Sequence, residues 1–228
     1  MSNDLVLNEL SFRYHKDAKW LFKDLSFHFT PHNITAITGP NGSGKTTLLY
    51  SLCGIIPNLF NGLQKGHVFL NGEDIAMKSL PEISKWISFL LQEPDHQIIF
   101  PVVEQEIAFG AENLCLPPSQ IERKIADVLS YLGVGELRNK KTYELSYGQK
   151  KIISLAALLV KDSPILVLDE PSAGLDESSK SLLKQTILDL AAGGKTIIFA
   201  DHSDEMIQIA TQHISLPYSA DEGKPDAV

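Results

Sequence analysis

Short apolar bursts separated by polar residues open the chain: Leu5-Val6-Leu7, Leu10-Ser11-Phe12-Arg13-Tyr14 and Leu25-Ser26-Phe27-His28-Phe29. Alternation with period two puts successive side chains on opposite faces of a strand, so residues 4–30 are expected to form antiparallel strands. His67-Val68-Phe69-Leu70 before Asn71-Gly72 predicts another strand and a tight turn. From Pro117 to Leu132 the period changes to a helical one, with Ile121, Ile125, Val128, Leu129 and Leu132 on one face. Ser119 is expected to cap that helix and Gly133 to stop it. Residues 148–160 read as a buried helix, and 165–169 and 196–200 as strands buried on both faces of a parallel sheet. The segment from Pro217 onward is polar and is expected to be disordered.

One strand-to-helix junction carries chemistry. Ile34-Thr35-Ala36-Ile37-Thr38 runs into Gly39-Pro40-Asn41-Gly42-Ser43-Gly44-Lys45-Thr46, followed by helix-like Thr47-Leu48-Leu49-Tyr50. The pattern is G-x-x-x-x-G-K-[ST] in the context that gives it meaning. The glycines let backbone N–H groups converge on phosphate oxygens at a helix N-terminus. Lys45 reaches the outer phosphates and Thr46 can ligate Mg²⁺, so the chain is expected to bind a nucleoside triphosphate.

Ile165-Leu166-Val167-Leu168 ends in Asp169-Glu170. A strand capped by two solvated acids is common; downstream of a phosphate loop, the pair has a use. Asp169 is placed to hold Mg²⁺ and Glu170 to accept a proton from an attacking water. His202 follows a second buried strand and could orient that water. Ser146 and Gly148, at the start of the helix over 148–160, make a second anion-ready helix N-terminus. One nucleotide does not need two such sites from one chain, so this one is expected to close on a nucleotide held by another subunit.

The composition narrows the class. With 228 residues, 43% hydrophobic and 21% charged, the chain has the make-up of a globular protein with a sizeable core. A net charge of −8 and the lack of a dense Lys/Arg run argue against nucleic acid and against direct adhesion to an anionic membrane. No apolar run approaches the length of a membrane span, and no leader precedes Leu5, so a cytosolic chain is expected. Cys53 and Cys115 make no metal or redox motif.

In this order, the motifs resemble those of the ATPase subunit of ATP-binding-cassette (ABC) transporters, over residues 4–215. Walker A is Gly39–Thr46 with Thr47 beside it, the glutamine loop centres on Gln92, and the signature is Leu145-Ser146-Tyr147-Gly148-Gln149. Walker B is Ile165–Glu170, the D-loop is Ser172-Ala173-Gly174-Leu175-Asp176, and the switch histidine is His202. The resemblance implies an α/β fold with a RecA-like P-loop core, an antiparallel β subdomain and a helical subdomain near 92–160. Residues 1–216 would form the domain and 217–228 a tail. It implies ATP and Mg²⁺ as cofactors, with Gln92 joining Thr46 and Asp169 at the metal, and Tyr14 stacking on adenine. It also implies a head-to-tail dimer with a second ATPase subunit, identical or a sister chain, in which each signature covers the partner's ATP. Tyr147 departs from the family, whose commonest signature has a second glycine there.

The segment Gln92–Leu114 is similar to the energy-coupling-factor (ECF) branch, which imports vitamins and transition-metal ions. Pro94, Asp95, Gln97, Phe109-Gly110 and Glu112-Asn113-Leu114 match its pattern; Glu93, His96 and Val103 depart from it. That likeness implies a transmembrane scaffold protein and a separate substrate-binding membrane protein as partners, with this chain peripheral on the cytoplasmic face and no direct membrane insertion. Many ECF ATPases carry a further C-terminal dimerisation domain, and this sequence stops near 228. A soluble, cofactor-assembly cassette shares the core motifs and stays open as the alternative.

Overall fold

A computed structural model describes residues 3–219. Two five-stranded sheets organise them. The first holds β1 (Leu5–Arg13), β2 (Phe22–Phe29), β4 (Leu63–Leu70), β5 (Glu73–Asp74) and β10 (Tyr218–Ser219), in the order β10-β2-β1-β4-β5. The second holds β3 (Ile34–Thr38), β6 (Ile87–Leu90), β7 (Ile165–Asp169), β8 (Thr196–Ala200) and β9 (Gln212–Ser215), in the order β6-β7-β8-β3-β9 and parallel throughout. The helices are α1 (Lys45–Leu52), α2 (Ile55–Asn58), α3 (Leu80–Ser84), α4 (Val103–Asn113), α5 (Pro118–Tyr131), α6 (Tyr147–Leu159), α7 (Glu177–Ala192) and α8 (Asp204–Ile207).

Parallel strands buried on both faces feed two cores. In β7, Ile165 and Val167 join α1 and the antiparallel sheet in one core; Leu166 and Leu168 join α4, α5, α6 and α7 in the other. The period-two geometry of the strand makes that division. The parallel sheet is therefore sandwiched, and its strand ends meet α1 and α6 from opposite sides.

Two expectations are corrected and one gains detail. The bursts Leu5–Leu7 and Leu10–Arg13 share one strand, β1, and Tyr14 lies just past its end. Glu9 adopts φ 51 and the register to β2 shifts between Leu7 and Leu10, so an irregularity interrupts the alternation without ending the strand. Ser119 does not cap α5: Pro117 is the N-cap residue and Pro118 starts the helix. Proline suits that position because its φ is already helical and its missing N–H would have had no partner. The chain after Pro217 continues as a strand, Tyr218–Ser219 pairing in parallel with Phe22–Lys23. The rest of the tail expectation, 220–228, lies outside the described residues.

Asn71 and Gly72, at φ 54 and 81, turn β4 into β5. Gly133 ends α5 through Gly133 N–H to Ser130 O (3.1 Å) and Val134 N–H to Leu129 O (2.9 Å), a Schellman closure. Among the described residues, no helix is long and apolar enough to cross a membrane.

Candidate active site

The site forms where β3 ends and α1 begins. Gly44 is the N-cap of α1 in the left-handed region, φ 98 and ψ 16. A Cβ there would be strained and would stand 3.0 Å from Leu21 Cβ. No side chain caps α1 and no acid occupies its first turn. Its leading N–H groups are thus left for an anion, in the field of the helix N-terminus. The Ser43 hydroxyl is buried beside them without a hydrogen-bond partner. Lys45, buried in the loop, donates to Gly39 O (3.0 Å) and Pro40 O (3.1 Å).

A cavity of about 450 Å³ opens over this loop, lined by Asn41, Gly42, Gly44, Lys45, Thr46 and Thr47. Gln92, Glu170, His202 and Tyr14 line it as well. The Tyr14 ring is half exposed, braced edge-on against Phe12 (centroids 5.1 Å apart), and its hydroxyl meets Thr47 Oγ1 at 2.8 Å. An aromatic face held in this way can take a planar base.

Thr46 Oγ1 donates to Asp169 Oδ2 at 2.8 Å. Asp169 is 2% exposed, and its other oxygen has no hydrogen-bond partner. Burial pushes its carboxyl up to about 6, against the Thr46 hydrogen bond and with the help of the Glu170 charge. A buried carboxylate with an orphaned oxygen, next to a threonine hydroxyl, is a hard-oxygen donor set that fits Mg²⁺. Gln92 lines the same cavity as Thr46. Its amide nitrogen donates to Glu170 Oε2 at 3.0 Å, leaving only its Oε1 for a cation.

The raised carboxyl has a consequence for stability. Asp169 binds its proton more tightly folded than unfolded, so stability falls as pH rises from about 4 to about 6 and stays reduced above, by about 3 kcal/mol. Asp169→Asn is therefore expected to raise the melting temperature at pH 8 in chelator. That gain should shrink towards zero at pH 4; an equal gain at both pH values would show that the buried charge is not its source.

Glu170 has the backbone of a constrained residue. It lies at φ 42, its N–H bonded to Ala200 O (2.8 Å) and its carbonyl accepting from Ala173 N–H (3.2 Å). Holding a non-glycine residue there costs on the order of 1 kcal/mol and aims the side chain at the cavity. Glu170 Oε1 stands 3.7 Å from His202 Nε2.

Two positioning residues went unread in the sequence. Lys151, 2% exposed, donates from one ammonium to Gln92 O (3.1 Å), Glu170 O (2.5 Å) and Ala173 O (3.4 Å). Burial pulls its pKa down, while Asp201, Glu93 and Glu170 push it back up. Asp201 accepts from Ser172 N–H (3.1 Å), the Ser172 hydroxyl (2.8 Å), His202 N–H (2.7 Å) and Ser203 N–H (2.9 Å). The signal for Lys151 was a charge inside a largely apolar, buried helix, next to Lys150; for Asp201, an acid directly after five buried strand residues.

The remaining predicted residues lie elsewhere. None of Leu145–Gln149 lines the cavity. Ser146 caps α6, its hydroxyl accepting from Gln149 N–H (3.3 Å) while Gln149 Oε1 accepts from Ser146 N–H (3.0 Å). The Asp176 carboxylate caps α7 through Ser179 N–H (2.7 Å), a bond that holds its pKa down.

A helix N-terminus left uncapped toward a cavity, facing an acid pair at the end of β7, defines the class as a P-loop ATPase domain. The family model described as "ABC transporter" matches residues 22–173. The energy-coupling factor transporter ATP-binding protein EcfA of Methanocaldococcus jannaschii is 34% identical over 225 residues, covering 96% of this chain and 78% of that one. An ABC transporter ATP-binding protein of Bacillus anthracis is 34% identical over 226 residues, and this chain spans 39% of its length. The structure of cbiO1 from Clostridium perfringens, part of the ABC transporter complex cbiONQ, superposes with a TM-score of 0.80 at 29% identity, covering 93% of this chain and 84% of that one. The chain belongs to the ABC transporter family, as an ABC-type ATPase.

Proposed function

We propose that this chain is the ATP-hydrolysing, energy-coupling subunit of an ECF-type importer that drives uptake of a vitamin or a transition-metal ion. In this reading Gly39–Thr46 and Thr47 hold the triphosphate, Tyr14 faces the adenine, and Lys45 neutralises the outer phosphates. Thr46 and Asp169, with Gln92 through its free oxygen, would hold Mg²⁺, which when bound offsets charge on the phosphate oxygens. Glu170 takes the proton of the attacking water, and His202 orients that water beside the terminal phosphate. Ser146, Gly148 and the rest of the signature close over ATP on a second ATPase subunit, the same chain or a sister chain.

The observation that carries the reading is the span of one segment. Gln92 touches Glu170 in the site, while seven residues on Ile99, 70% exposed, lines an outer groove of about 680 Å³ with Leu80, Phe109 and Leu114. Glu106 fixes the groove end of the segment to α4, accepting from the N–H groups of Ile99 (2.8 Å) and Phe100 (2.9 Å). A groove of that kind takes an amphipathic helix from a partner. The likeness to EcfA and to cbiO1 supports a transmembrane scaffold as the source of that helix, with a separate membrane protein capturing substrate. The chain would then be peripheral, on the cytoplasmic face.

The test is to tag the chain in its native cell, solubilise membranes in mild detergent and identify what co-purifies. A polytopic scaffold with a small membrane-embedded protein is expected, and an Ile99→Asp, Phe109→Asp variant should lose both. Recovery with soluble partners alone would favour a cofactor-assembly cassette.

A further inference from the structure

The signature departs from its family at Tyr147, and the structure gives that side chain a specific position. Tyr147 is the first residue of α6, half-buried, and its ring lies on Gly174 in the Ser172–Asp176 loop. A Cβ added at Gly174 would stand 2.4 Å from Tyr147 Cε1 and 2.9 Å from Cδ1, so the ring occupies the space of that missing side chain. Gly174 is also at φ 73, where glycine is favoured for its backbone alone. The Tyr147 hydroxyl points at Gln92 O, 3.5 Å away. One turn further along α6, the Lys151 ammonium stands 5.8 Å from the ring centroid and holds the carbonyls of Gln92, Glu170 and Ala173.

We infer that Tyr147 is a positioning residue that locks the Ser172–Asp176 loop to the signature turn of its own chain, so that both move with Gln92 as one body. The physical reason is the division of labour along one helical turn. Lys151 fixes the loop by its carbonyls, at one end only, because Ala173 is the last residue it reaches. Beyond Ala173 the chain turns through Gly174, which has no side chain of its own to pack. With glycine in place of Tyr147, Gly174 would lose that ring contact. Leu175 is buried in the core beside Gly148, and at Gly174 the ring supplies the packing surface, where a glycine allows close approach. The expected result is a loop presented to a partner in one arrangement rather than several, which lowers the ordering cost of closing on a bound nucleotide.

Hydrogen exchange on the nucleotide-free chain tests the lock without reference to any dimer. Tyr147→Gly should speed amide exchange in 172–176 by about tenfold or more, leaving the interior of α7 unchanged. Tyr147→Phe should keep wild-type exchange, since the contact is made by the ring. Tyr147→Ala serves as the second truncation and should repeat the Tyr147→Gly result. A double-mutant cycle adds a readout that loss of helix stability would not give. Gly174→Ala incurs both a strained φ and a clash in the parent, but only the strained φ beside Tyr147→Gly, so the two effects should be less than additive. Exchange unchanged by both truncations, or strict additivity in the cycle, overturns the inference. The consequence for closure rests on the head-to-tail reading above and is measured separately. There the apparent KM for ATP should rise by more than kcat falls; a normal KM with fast loop exchange would count against that reading and leave the lock standing.

Discussion

Replacing Glu170 by glutamine is expected to lower ATP turnover by about 10²–10⁴-fold, with ATP affinity little changed. The carboxylate faces the cavity with one oxygen taken by the Gln92 amide (3.0 Å) and the other free toward His202 (3.7 Å). A glutamine keeps the shape and one acceptor oxygen, and its amide nitrogen cannot take a proton from water. The residue sits in a strained backbone just past the end of β7, anchored at Ala200 O, which fits a side chain aimed for chemistry. Single-turnover hydrolysis with labelled ATP, alongside equilibrium binding, separates the two effects. Turnover equal to the parent would remove Glu170 as the base.

Lys45→Ala is expected to weaken ATP binding by about 10–100-fold, the scale of losing a charge-assisted hydrogen bond at a phosphate. A second effect works in the same direction. The Lys45 ammonium bridges Gly39 O and Pro40 O, so its loss also removes the brace that shapes the loop. Lys45→Arg is expected to rescue little: the side chain is buried, and a planar guanidinium does not fit where a compact ammonium does. Calorimetric titration with a non-hydrolysable analogue reads both variants. A dissociation constant unchanged in Lys45→Ala would take the residue out of the phosphate site.

Much of this arrangement could be read along the chain because its signals are local. The phosphate loop is eight consecutive residues whose glycines and lysine act through their own backbone and first helical turn. The buried strands β7 and β8 carry the apolar runs Ile165–Leu168 and Ile197–Ala200, because both faces of a parallel strand meet a core. Where local signals compete, the reading failed. Alternation in β1 breaks at Glu9, and only pairing with both neighbours, β2 and β4, shows that the strand continues. At α5 the serine signal lost to the proline before it.

The residues that bind and brace the site across long separations were not legible in this way. Asp169 and Thr46 lie 123 positions apart, and their roles could be named from motifs, but not the orphaned oxygen or the raised carboxyl, which come from burial. Lys151 and Asp201 carry no motif at all; each becomes meaningful only when loops from distant parts of the chain bring carbonyls or N–H groups around it. Tyr147 stood out as a departure, and only the packed structure shows Gly174 beneath it. Sequence therefore decided which elements form and which chemical groups are available, since period and loop pattern act within a few residues. Tertiary structure decided which groups meet, which charges lose their water and which loops move together, because these depend on contacts between segments that no local pattern encodes.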